Sequence, residues 1–189
     1  MAESFTNQLT RAAGIVTSSN SGSIGVTTSL ITGVSTAGVS VGDMVKTTFF
    51  RGGSKVSVIG AGQVNLDRTS VNTTAKTGQT VTFMGKTTAF TATTKSILVG
   101  GTFANLTNNT IHINVEFGIG NTFANIANNI PIPQGSSFVV SDAGKTILRP
   151  NEVINLYCDT ATAVDSSLSI LIGNSILEME ILFTIILVI

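Results

Sequence analysis

Two apolar runs flank a polar turn between residues 96 and 117. Ile97-Leu98-Val99 leads through Gly100-Gly101 into Thr102-Phe103-Ala104-Asn105. After Leu106-Thr107-Asn108-Asn109-Thr110, Ile111, Ile113, Val115 and Phe117 alternate with His112, Asn114 and Glu116. A period of two carried by β-branched residues predicts a half-buried strand. Asn tolerates the positive φ of a tight turn, so the two runs are read as a β-hairpin at the centre of a sandwich. Residues 137–140, 153–159 and 167–172 supply three more strands. Asp142-Ala143-Gly144 before 145–148 predicts a second hairpin.

Upstream the pattern changes. From 24 to 84 short strands recur about every ten residues with Gly at the corners, the spacing of a small barrel or curled sheet. This stretch is read as an inserted β unit. Residues 1–23 are then an N-terminal arm or first strand of the sandwich, and 85–174 are the sandwich itself. Thr122-Phe123-Ala124-Asn125-Ile126-Ala127-Asn128-Asn129 echoes 102–109. One echo does not make a solenoid, which needs at least three repeats. The fold class expected is all-β: an antiparallel, jelly-roll-like sandwich carrying a barrel-like insertion.

The last stretch, 175–189, puts Leu177, Met179, Ile181, Phe183, Ile185, Leu187 and Ile189 on one strand face. Glu178, Glu180 and Thr184 fall on the other, with Ile176, Leu182, Ile186 and Val188. A membrane span takes about 20 apolar residues, and two glutamates interrupt this shorter run, so no membrane is expected as a partner. Left in water, such a strand would template aggregation. It is expected to join a sheet of its own chain or cross to a neighbouring subunit, with those seven apolar residues as the oligomer interface.

Composition supports strands over helices. Charged residues make up 11% of the 189-residue chain, and the polar remainder is Thr, Ser, Asn and Gly. Ten basic and ten acidic residues cancel. No basic stripe can track a phosphate backbone, which argues against nucleic acid. Weak charge repulsion suits a subunit of a larger assembly. The single cysteine excludes an intrachain disulfide framework and fits a reducing cytoplasm. Met1-Ala2-Glu3-Ser4-Phe5-Thr6 has no basic segment leading into an apolar one, so no secretory signal is expected.

Candidate chemistry is sparse. His112, the one histidine, sits on the polar side of its strand without a second His or a Cys nearby, a poor metal site. It is read as a solvated or interface side chain. Cys158 shares a face with Ile154 and Leu156 and is read as a core thiol. Gly144-Lys145-Thr146 and Gly85-Lys86-Thr87 lack the leading Gly of a phosphate loop, because Val139 and Thr80 stand there. Asp43, Asp67, Glu116, Asp142, Glu152, Asp159 and Asp165 are scattered singly. No catalytic residue, metal site or cofactor is expected.

Several of these segments carry a resemblance. Ser96-Ile97-Leu98-Val99-Gly100-Gly101-Thr102-Phe103-Ala104-Asn105-Leu106-Thr107, Ile132-Pro133-Gln134-Gly135, Gly144-Lys145-Thr146-Ile147-Leu148 and 163–171 follow one another as in a small all-β module. That module is common in virion proteins of tailed bacteriophages, marine and cyanophage types above all. Residues 4–11 resemble its opening. The Val41-Gly42-Asp43-Met44-Val45 to Phe83 pattern is similar to a short module of phage fibre and bacterial surface proteins. The resemblance implies a non-enzymatic structural virion protein made in the host cytoplasm. The position expected is a capsid decoration or cement subunit, whose partners are the major capsid protein or other virion proteins and further copies of itself. The alternative is a neck or tail-fibre appendage that binds a receptor or carbohydrate.

Overall fold

The computed structural model describes residues 4–140 and 146–173. The regular elements among them are all strands. In chain order they are β1 (Ser4–Ala13), β2 (Ile15–Ile24), β3 (Leu30–Thr32), β4 (Met44–Lys46), β5 (Val56–Gly60), β6 (Gln63–Leu66), β7 (Lys76–Gly85) and β8 (Thr87–Thr91). They continue as β9 (Ser96–Asn105), β10 (Ile111–Ile119), β11 (Thr122–Ile132), β12 (Ser137–Val140), β13 (Thr146–Leu148), β14 (Val153–Cys158) and β15 (Val164–Ile172). The turn 142–144 and the expected interface residues Leu177, Met179, Ile181, Phe183, Ile185, Leu187 and Ile189 lie outside the described residues.

Two antiparallel sheets form the sandwich. Sheet I runs β1-β15-β9-β12, with β13 also on β9, and sheet II runs β11-β10-β14-β8. Alternation builds the core between them. Val164, Leu168 and Ile170 of β15 and Leu98 and Phe103 of β9 face Ile111, Ile113 and Val115 of β10 and Ile154, Leu156 and Cys158 of β14. Burying one such Leu or Ile contributes roughly 1.5–3 kcal/mol.

The expected central hairpin does not form. β9 pairs with β15, β12 and β13, whereas β10 pairs with β11 and β14. Residues 106–110 therefore arch from one sheet to the other. Asn105 holds the arch: its amide donates to the carbonyls of Asn109, Ile132 and Pro133, and its oxygen accepts from the Thr107 N–H and hydroxyl. The bonds to Thr107 and Asn109 satisfy backbone groups of the arch that no ladder pairs. The second expected hairpin also differs. β12 pairs with residues 101–104 of β9 and β13 with 96–98, so both run along one edge of β9 as an interrupted line.

The third sheet, β4-β7-β2-β3-β6-β5, belongs to the inserted unit. Its separate core is built from Ile24, Ile31, Val45, Val56, Val64, Leu66, Val81 and Phe83. Ile15 pairs with Gly85, so the chain enters and leaves this unit at one point. Entry is at Ile15, not residue 24, because β2 lies against β7 and not in the sandwich. β2 escapes detection because Ile15-Val16-Thr17-Ser18-Ser19-Asn20-Ser21-Gly22-Ser23-Ile24 buries little besides Gly22 and Ile24. The paired strands do not close into a barrel: β4 and β5 end the ladder, and beside the isolated Met44–Lys55 bridge their segments are joined by the Gly42 N–H to the Val56 carbonyl, the Val56 N–H to the Asp43 carbonyl and the Val45 N–H to the Ser54 carbonyl.

Gly14 makes the crossover between units possible. Its φ is +114°, and a Cβ there would strike the Thr160 carbonyl oxygen. Only glycine fits that approach.

Candidate functional site

Among the described residues, the two units meet around Asp159 and around Tyr157. The first place is a latch on Asp159, at the end of β14. This side chain is 2% exposed. Its Oδ1 accepts from the His112 N–H at 3.1 Å and the Thr160 hydroxyl at 3.0 Å. Its Oδ2 accepts from the Gly53 N–H at 3.2 Å and from His112 Nδ1 at 3.0 Å. Gly53 belongs to the inserted unit and His112 to β10 of the sandwich, so one carboxylate ties both. Gly53 has φ +74°, and a Cβ there would collide with the Asn129 amide. Arg68 donates to the Gly52 carbonyl at 3.2 Å, and Lys55 Nζ to Asn128 Oδ1 at 2.8 Å. His112 is thus an interface side chain with a buried acceptor. Its partner lies 47 positions away in sequence, and no local spacing announces it.

The other place is a cleft of about 540 Å³ lined in part by Gly85 and Lys86, where β7 leads into β8. Met44, Met84 and Tyr157 pack together as an apolar cluster joining the units, and Tyr157 also lines the cleft. Its hydroxyl donates to Glu116 Oε1 at 3.1 Å, and Asn155 Nδ2 donates to the same oxygen at 3.3 Å. Across the cleft, Asp43 Oδ2 accepts from the Ser40 N–H at 2.9 Å and the Thr17 hydroxyl at 3.2 Å. Lys86 lies 5.4 Å from the centre of the Phe123 ring and also lines the space. Two carboxylates that looked isolated in sequence therefore share one cavity with an ammonium and two aromatic rings. Burial, then the neighbouring Glu116 charge and hydrogen bond, push the Tyr157 phenol pKa upward, so it stays a neutral donor.

Asp43 carries a testable pH signature. Burial raises its pKa above the ordinary 3.8, against the Ser40 N–H, the Thr17 hydroxyl and the Lys86 charge, which lower it. A carboxyl with a raised folded pKa binds more protons folded than unfolded between the two values. Its contribution to stability is full below the unfolded pKa and is lost as pH rises through the folded one. Asn at this position keeps an acceptor for Ser40 and Thr17 without the buried charge. Asp43→Asn should therefore melt above the wild type at pH 7, with the gap closing as pH falls toward 4. Melting curves across that range check it, and a gap that widens in acid would contradict it.

The other described carboxylates among the candidates accept from backbone N–H groups. Asp67 Oδ1 accepts from the Lys55 N–H at 2.8 Å, Glu152 Oε2 from the Arg149 N–H at 2.8 Å and Asp165 Oδ1 from the Ala12 N–H at 2.7 Å. Cys158 is fully buried, and burial pushes its thiol pKa up to about 12, far from a reactive thiolate. Among the described residues, no three His, Cys, Asp or Glu side chains gather to hold a metal ion. No helix among them is long and apolar enough to cross a membrane.

The outer face of sheet I is the third feature. Register aligns Phe5, Leu171, Ile97 and Ile147 in one row across β1, β15, β9 and β13. A second row aligns Leu9, Ser167, Thr102 and Val139. Phe5 is 69% exposed, Leu9 66%, Val139 55% and Ile147 53%. Between the rows lie Asn7, Ser169 and Gly100. Single exposed apolar residues are ordinary, but aligned rows on one face mark an interaction surface.

Compared with models of known protein families, with curated proteins and with solved structures, the chain finds no significant match.

Proposed function

We propose that the chain is a structural subunit of a tailed-phage virion, a decoration or cement protein of the capsid that acts by adhesion. The observation that carries this reading is the outer face of sheet I, with exposed Phe5, Leu9, Val139 and Ile147 aligned in rows and Arg11 and Asp165 at one end. The ordered phage-like motifs along residues 96–171 support it. Subunits bury such faces against neighbours, and many copies add avidity without any single strong site. The partners are the major capsid protein or other virion proteins. Densitometry of purified particles tests the assignment. Hundreds of copies per particle are expected, and absence from the particle would reject it.

A second reading is favoured by the cleft. Glu116 and Asp43 offer acceptors, Lys86 a donor, and Phe123 and Tyr157 apolar walls, a mixture suited to a polyhydroxylated ligand at a junction between units. On that reading the protein is a neck or tail-fibre appendage binding a carbohydrate receptor, present at only a few to a few tens of copies.

A further inference from the structure

We infer that the outer face of sheet I is where a second copy of this chain docks, making the protein a face-to-face homodimer. The inference rests on the adhesive role proposed for that face and names its occupant.

Three observations carry it. The first is size. Strands of nine or ten residues make up β1, β9 and β15, and β12 with β13 adds a fourth line. Four lines about 4.8 Å apart and about 30 Å long present roughly 600 Å². Two such faces bury on the order of 1,200 Å² in total, the lower bound of a standard stable interface.

The second is relief. The Phe5–Ile147 row and the Leu9–Val139 row stand either side of a low strip, where Ser169 pairs with Gly100. Gly100 has no side chain, and Asn7 and Ser169 hold each other's polar ends at 3.2 Å. Shallow grooves run along this strip and beside the second row. A surface with ridges and a trough can pack against its own copy, and two-fold symmetry needs only one such surface.

The third is charge. Arg11 and Asp165 line the same groove as Leu9 and are of opposite sign, so a copy meets no net repulsion. Among the described residues of this face, these two opposite charges offer a strongly charged partner no net complement. That favours a neutral apolar partner, and a second copy is one of matching extent.

The test measures the mass of the full-length chain by sedimentation equilibrium. The wild type should run at the mass of two chains. Leu9→Arg/Val139→Lys changes two exposed side chains, so its circular dichroism should be unchanged. Its dimerisation should be about a hundredfold weaker or more, because burying four like charges across the symmetric interface is costly. Thr102→Cys, in the second row, should be joined to its copy by a short bis-maleimide, whose arm spans the roughly 10 Å between packed sheets, whereas Val58→Cys on the inserted unit should not.

A wild type that stays at the mass of one chain overturns the proposal, as does a charged variant that keeps the mass of two. A one-chain wild type that becomes dimeric when cut after Gly173 would assign the face to the chain's own residues 174–189, again overturning it. Failure of the virion reading is separate: a protein dimeric through this face but missing from particles would reject that reading alone.

Discussion

Asp159→Ala should destabilise the protein by on the order of 3 kcal/mol. The carboxylate is almost wholly buried and accepts from four donors, two of them backbone N–H groups, on His112 and Gly53. Alanine leaves those N–H groups without acceptors in a tight junction, where Gly52 and Gly53 lie against His112 and Asn129. A buried donor left unpaired costs about 1–3 kcal/mol, which exceeds the usual net gain of a hydrogen bond. Asp159→Asn retains one oxygen acceptor and should lose less. Urea denaturation monitored separately in each unit is the measurement, since the latch holds them together. Loss of protection from hydrogen exchange at Gly53 should accompany the change. An alanine variant within 1 kcal/mol of wild type would show that the latch contributes little.

The second large effect separates two segments of nearly identical sequence. Phe103→Ala should cost about 3–5 kcal/mol, whereas Phe123→Ala should cost about 1 kcal/mol or less. Both residues sit in Thr-Phe-Ala-Asn. Phe103 is 1% exposed in the sandwich core, with its ring 6.1 Å from that of Phe138. Removing it opens a cavity that two packed sheets cannot easily close. Phe123 lies half-buried near the start of β11, an edge strand, with Lys86 above its ring. Its loss forfeits little more than that contact. Chemical denaturation of both variants under one condition decides the matter, and equal costs would mean that the two environments are misassigned.

The same pair shows what is readable in the chain and what is not. Alternation in 111–117 announces a strand and selects Ile111, Ile113 and Val115 for the core, as the sandwich has them. The burial of Cys158 follows from the same spacing. β7, the last strand of the third sheet along the chain, ends at Gly85. The entry strand, β2, left no apolar alternation to read, because its partner β7 supplies most of the buried side chains.

What alternation by itself determined is which side of a strand turns inward, a property of two consecutive residues. Which strand lies alongside was decided by tertiary structure. β9 and β10 look like a hairpin locally, yet each gains neighbours on both edges by parting into opposite sheets around Asn105. The His112–Asp159 latch, the shared cleft of Asp43 and Glu116 and the aligned rows on sheet I depend on that pairing. Each joins residues far apart along the chain, and nothing local distinguishes them before the sheets assemble. Thr102-Phe103-Ala104-Asn105 and Thr122-Phe123-Ala124-Asn125 have the same local preferences, but one is flanked by strands on both edges and covered by a second sheet, and the other lies at an edge. Burial is set by these long-range neighbours, and so one phenylalanine holds the core while its counterpart carries a lysine at the mouth of a cleft.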